Sequence, residues 1–144
     1  CFVMIDIDYF KKINDSYGHP IGDRVLKSLA MFLKQRLRKA DHIGRYGGEE
    51  FAIVLPNTQG EDAVTLIDEI RDHFSNLKQP AGTSEFQVTF SCGIAAFGGE
   101  HAQVLNEKAV VNHEVVKHSA HSTSILNIDG QPGVTSALFS AKAR

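Results

Sequence analysis

The sequence predicts one α/β (α+β) domain built on a palm or ferredoxin-like sheet, mostly antiparallel, with helices on one face. Three observations lead there. Residues 21–37 and 61–77 carry apolar side chains at helical spacing. Short β-forming runs alternate with them, in the order strand, helix, strand, hairpin, strand, helix, strand, helix, strand. At 144 residues, 42% hydrophobic and 22% charged, the chain has the size and composition of one globular domain with a real core.

The first strand covers residues 2–7 and is rich in β-formers. It closes on Asp6-Ile7-Asp8, and strand alternation puts the two acids on one face. Residues 9–15 form a short helical turn, and residues 16–20, with Gly18 and Pro20, break it. The helix over 21–37 turns Val25, Leu26, Leu29, Ala30, Phe32 and Leu33 inward. Pro20 suits its first turn, where a missing N–H costs nothing. Asp23 in that turn and Lys34, Arg36, Arg38 and Lys39 at the far end complement the helix dipole.

Gly47-Gly48 joins the runs at 42–43 and 51–55, and reads as a tight hairpin whose central residues need φ > 0. After a loop at 56–60, the helix over 61–77 points Ala63, Leu66, Ile67, Ile70 and Phe74 inward. Residues 78–84 read as a polar loop around Pro80 and Gly82, and 85–97 as one strand. Residues 102–117 are helix-compatible, 124–128 form a short strand, and 129–130 a turn. The domain is thus expected over 1–130, with 131–144 as a tail.

Composition excludes several classes. A formal charge of −2 leaves no electrostatic footprint for a nucleic acid polymer. No apolar run has membrane-spanning length, so no membrane contact is expected of this fragment. Cys1 and Cys92 have no metal-ligand spacing and read as reduced thiols of a cytoplasmic domain, whose parent could still be membrane-anchored. The chain opens inside an apolar run at Cys1-Phe2-Val3, as expected of a piece of a longer protein.

Three acids converge at one place. Asp6 ends the first strand, and Glu49 and Glu50 follow the paired glycines. On neighbouring strands they could share one or two hard cations such as Mg²⁺. Paired cations can neutralise a triphosphate and stabilise in-line displacement at phosphorus. Asp8 is the acid better suited to capping the following turn. Lys11 and Lys12 lie one turn beyond the strand, placed to meet phosphates.

Three linked motifs give these residues a context. Phe-Lys-x-Ile-Asn-Asp stands at 10–15, Gly-His-x-x-Gly-Asp at 18–23 and Arg-Tyr-Gly-Gly-Glu-Glu-Phe at 45–51. In this order and spacing they resemble the GGDEF domain of diguanylate cyclases, over residues 2–98. The resemblance implies a nucleotide-cyclase-like fold and the condensation of two GTP molecules into cyclic di-GMP and two pyrophosphates. Each domain holds one GTP, so a homodimer is required, and the 3′-hydroxyl of one GTP attacks the α-phosphorus of the other. By motif, Asp6, Glu49 and the Ile7 carbonyl would bind Mg²⁺ or Mn²⁺. Glu49, Glu50 and Lys11 would be catalytic. Phe10, Lys11, Gly47, Gly48 and Lys117 would meet the phosphates, while Asn14 and Asp23 would bond the guanine edge. Arg38 and Asp41 resemble the family's site for inhibitory cyclic di-GMP; a helix-terminal Arg and a turn Asp are their alternative reading.

The sequence departs from the family in two regions. Where the family has Ala-Asp-x-Ala-Leu-Tyr-x-Ala-Lys and then Gly-Arg-Asn, only Ala109 and Lys117 match, and His121 stands where an Arg is usual. Neutral His offers one donor in place of a fixed fork. The family's N-terminal helix would precede Cys1, and with it a sensor or receiver module. A degenerate domain that binds GTP or cyclic di-GMP without turnover is the alternative function. Another palm-type nucleotidyl transferase is a third reading, which Asn14 and Asp23 argue against.

Overall fold

The structure is a computed structural model and describes residues 1–96. The elements run β1 (Phe2–Ile7), α1 (Phe10–Tyr17), α2 (His19–Arg36), β2 (His42–Arg45), β3 (Glu50–Val54), α3 (Gly60–Ser75), β4 (Lys78–Ala81), β5 (Ser84–Gln87) and β6 (Phe90–Ala95). The helix expected over 102–117, the strand over 124–128 and the tail all lie outside the described residues. So do Lys117 and His121.

Four strands form an antiparallel sheet in the order β2-β3-β1-β6. Strand β1 lies between β3 and β6 and is buried from Val3 to Ile7, which explains its nearly continuous apolar run. Val3, Ile5 and Ile7 face one way and pack with buried residues of α1, α2 and α3 in a single core. Helices on one face are therefore what the described residues show. Phe2, Met4, Ala52 and Ala95 form a smaller cluster on the other face. Leu29 and Leu33 of α2 are fully buried. Trimming either to Ala would cost about 2–5 kcal/mol.

The chain leaves β1 through two residues. Asp8 donates its N–H to the Thr89 carbonyl at 3.0 Å, while its carboxylate accepts from Thr89 Oγ1 and Ser91 Oγ, each at 2.6 Å. Asp8 thus ties the end of β1 to β6. Tyr9 then adopts φ 55°, a left-handed conformation costing roughly 1–2 kcal/mol, and α1 starts at once. Gly18, at φ 83°, is the whole break between α1 and α2. Its N–H closes α1 on the Asn14 carbonyl at 2.8 Å, and its own carbonyl accepts from Ile21 at 3.1 Å. Helix α2 therefore begins at His19 rather than Ile21. Asp23 falls outside its first turn, and a dipole role for that carboxylate loses its basis.

Two expected elements differ. Residues 78–84 are not a loop: β4 pairs with β5 across a two-residue turn at Gly82, whose φ is 65°. The strand expected over 85–97 is divided, because its first part pairs with β4 and its second with β1. The small hairpin is anchored on the helices. Arg24 donates to the Pro80 carbonyl, Gln79 Nε2 to Ser28 Oγ at 3.2 Å, and Phe86 stacks on Tyr17 with centroids 4.4 Å apart. Both cysteines are free, and burial pushes the Cys92 thiol far above the ordinary range, so it is chemically inert.

Candidate active site

The candidate residues collect at the end of β1. In the β1–β3 register Asp6 stands directly opposite Glu50, so the two carboxylates share a face of the sheet. Asp6 is only 4% exposed, and Glu49 and Glu50 are half-buried. The Ile7 N–H donates to the Glu49 carbonyl at 3.3 Å, joining the end of β1 to the turn. Like charges directly opposite are destabilising. The pair is therefore a place where a hard cation would relieve repulsion. Among the described residues no three His, Cys, Asp or Glu side chains form a ready metal cage. Mg²⁺ does not require one, because it binds through one or two carboxylates and keeps waters and phosphate oxygens as its other ligands.

The turn between β2 and β3 is not the two-residue hairpin expected. The last β2–β3 pair is Arg45 with Phe51, and residues 46–49 form the loop before β3 opens at Glu50. The N–H groups of Tyr46 and Gly47 both reach the Glu50 carbonyl, at 2.9 and 3.4 Å. With that length neither Gly47 nor Gly48 needs, or has, a left-handed φ. A Cβ on Gly47 would sit 3.0 Å from Glu50 Oε2, while one on Gly48 would meet nothing within 4 Å. The fold itself makes no demand for glycine at 48, and the bare backbone there is open to a ligand.

Arg45 holds the loop's shape. Its Nε lies 3.2 Å from the Gly47 carbonyl and 3.1 Å from that of Gly48, and its Nη2 donates to the latter at 2.6 Å. The sequence shows Arg45 only as part of a motif. The signal for its role is local, since a long cationic fork precedes the two carbonyls by two and three residues.

Helix α1 starts at Phe10, three residues after β1 ends at Ile7. Its first helical bond is donated by Ile13 to the Tyr9 carbonyl at 3.1 Å, which leaves the N–H groups of residues 10–12 outside the helix ladder. Phe10 is buried in the core and Lys11 is exposed. Asn14, half-buried on α1, packs against Gly22 of α2, the residue before exposed Asp23. Amide and carboxylate thus occupy neighbouring positions of the α1–α2 pair.

Arg38 and Asp41 lie apart from this cluster, between α2 and β2. The Asp41 carboxylate accepts from the Arg38 backbone N–H at 2.8 Å and from its guanidinium at 3.3 and 3.4 Å. Arg38 also donates to Thr58 Oγ1 at 2.8 Å. Its side chain is 61% exposed and that of Asp41 is covered. The pair therefore presents a cation, with the acid turned in to hold it. An adjoining cavity of about 710 Å³ has an apolar lining that includes Leu26, Leu37, Ile43 and Phe51, with the cations Lys27, Lys34, Arg38, Lys39 and Arg45 and one acid, Asp41, around it.

The sequence profile of the family "Diguanylate cyclase, GGDEF domain" matches residues 1–122. This chain belongs to the GGDEF diguanylate cyclase family. The response regulator PleD of Caulobacter vibrioides is 44% identical to it over 100 residues, 68% of this chain and 22% of that protein. The GGDEF domain of DgcB from Caulobacter crescentus, solved in complex with c-di-GMP, superposes with a TM-score of 0.78 at 30% identity, over 84% of this chain and 73% of that one. The active GGEEF domain of a diguanylate cyclase from Vibrio cholerae superposes at 0.75 with 33% identity, over 82% and 76%. The matched region spans between 15% and 29% of the length of four of the curated relatives. In this chain the described helices lie on one face of an antiparallel sheet, and the signature turn and the end of β1 lie side by side. No helix among the described residues is long and apolar enough to cross a membrane.

Proposed function

We propose that this chain is a diguanylate cyclase domain that condenses two GTP molecules into cyclic di-GMP and two pyrophosphates as a homodimer. The observation that carries the reading is the register of Asp6 opposite Glu50, with Glu49 adjoining and α1 starting at Phe10, just past β1. Asp6, Glu49 and the Ile7 carbonyl would hold Mg²⁺ or Mn²⁺, which supplies charge neutralisation at the triphosphate. Lys11 and the leading N–H groups of α1, at Phe10 and beyond, suit the phosphates. The bare backbone at Gly47 and Gly48 lets the α-phosphate come close, and Glu50 stands near the reacting hydroxyl. Asn14 and Asp23 take the guanine edge, where a carboxylate accepts from N1–H and N2–H₂. Lys117 would add a cation to the triphosphate. One site holds half of the reactants, which is why two domains must meet.

The test is direct. Incubating the chain with GTP and Mg²⁺ is expected to yield cyclic di-GMP and pyrophosphate, with Glu49→Ala inactive. A dimeric protein that binds GTP without forming product would replace this reading with that of a nucleotide receptor.

Arg38 supports product feedback at a second site, because it is exposed, pre-set by Asp41 and Thr58, and surrounded by cations that suit a dianion. A guanine contact from Asp41 requires its bonds to Arg38 to open. Arg38→Ala is expected to weaken cyclic di-GMP binding at least tenfold, roughly the 1.5–3 kcal/mol of a charged hydrogen bond. An unchanged titration would remove Arg38 from the site.

A further inference from the structure

We infer that Gly22 is a positioning residue for guanine recognition: the absence of a side chain there is what lets the Asn14 amide occupy its place. The inference rests on the assignment of Asn14 to guanine proposed above. Gly22 is buried in α2, facing α1. A Cβ at this position would lie 1.9 Å from Asn14 Oδ1, 3.0 Å from Asn14 Cγ and 3.2 Å from Phe10 Cζ. The first distance is far inside van der Waals contact, so an alanine and the present Asn14 side chain cannot coexist.

The backbone does not ask for glycine at 22. Its φ is not left-handed, and it sits inside a helix of 18 residues, where glycine is a poorer helix former than alanine. Nor do hydrogen bonds hold the amide. Among the described residues the Asn14 side chain makes none; outside the helix ladder its backbone carbonyl accepts from Gly18. The room above Gly22, bounded by the Phe10 ring, therefore sets where the amide stands. The three nearest atoms to the added Cβ are all side-chain atoms, two of them at the tip of Asn14. The expected response to alanine is a rotated Asn14 in an intact fold. Asp23 follows directly in the chain, so Gly22 sets the amide's position relative to the carboxylate that shares its task.

Equilibrium binding of a non-hydrolysable GTP analogue to the full chain, with the matching ATP analogue as control, tests this without requiring turnover. Asn14→Ala is expected to weaken the guanosine nucleotide about tenfold, the size of one lost hydrogen bond. Gly22→Ala is expected to weaken it to the same extent, to leave the adenosine nucleotide unchanged, and to melt no lower than wild type. The double variant Gly22→Ala/Asn14→Ala removes the clash with the Asn14 amide and is expected to bind like Asn14→Ala alone. Wild-type guanosine affinity in Gly22→Ala, beside a weakened Asn14→Ala, would overturn the inference. So would a further loss in the double variant, which would place the effect of Gly22 outside Asn14. An Asn14→Ala variant with wild-type affinity would instead defeat the guanine assignment on which the inference stands.

Discussion

Asp6→Asn is expected to lower cyclic di-GMP formation from GTP and Mg²⁺ roughly a thousandfold, while the protein stays folded. A bound cation contributes several kcal/mol to a phosphoryl-type transition state, and each 1.36 kcal/mol is a factor of ten. Asparagine keeps the volume of the buried side chain, so no cavity opens in the sheet. It removes the negative charge that faces Glu50 in register, so like-charge repulsion falls. Melting of the metal-free variant is therefore expected at or above the wild-type temperature. The two proteins should diverge once Mg²⁺ and a GTP analogue are added. Wild type gains RT ln(1 + [L]/Kd), about 2.7 kcal/mol at a hundredfold excess over Kd, and the variant loses most of that gain. Near-normal turnover by Asp6→Asn would show that Asp6 holds no catalytic cation.

The legible parts of this fold are those whose pattern is local. The spacing of Val25, Leu29 and Leu33 on α2 and of Ala63, Ile67 and Phe74 on α3 repeats with the helix, and all six are buried. Asp6 stands out in the sequence because a strand buried from Val3 to Ile7 seldom carries a carboxylate. The hairpin at 78–87 was obscured by Pro80 and by a polar composition, although Gly82 before Thr83 is a sound two-residue turn signal. What closes that hairpin onto the domain is long-range: Arg24 and Ser28 reach it from α2. The break before Phe90 is likewise explained at a distance, since Thr89 and Ser91 serve Asp8 from 81 and 83 residues away. Asp8 illustrates the limit well. Alternation put it beside Asp6, and only the two hydroxyls separate its structural task from the metal-binding one proposed for its neighbour. The Gly47-Gly48 pair marks the place of the turn but not its conformation, because loop length is set by the Arg45–Phe51 pairing and not by the glycines.

Arg45→Ala is expected to reduce kcat about tenfold to a hundredfold with little change in helix content. In a trans peptide the N–H points opposite to the C=O of the same unit. The Gly47 carbonyl shares its plane with the Gly48 N–H, and the Gly48 carbonyl with the Glu49 N–H. By drawing both carbonyls toward its guanidinium, Arg45 directs those two N–H groups the other way. Successive N–H groups aimed together make a concavity that favours an anion, and the empty space beside Gly48 leaves its approach clear. Hydrogen bonds to a charged donor are worth about 1.5–3 kcal/mol, and losing the clamp would spread the loop over other conformers, with that order of cost to a phosphate-centred transition state. Arg45 carries no core packing, being exposed at the sheet edge, so global stability should barely move. Arg45→Lys separates charge from shape. Lysine keeps the positive charge, yet a single ammonium cannot reproduce the planar fork across two carbonyls. Partial recovery at most is expected from it, with the deficit in kcat at saturating GTP rather than in the melting temperature. Full activity in Arg45→Ala would mean that the loop keeps its shape without the clamp, and that the N–H pair at 48 and 49 is ordered by something other than Arg45.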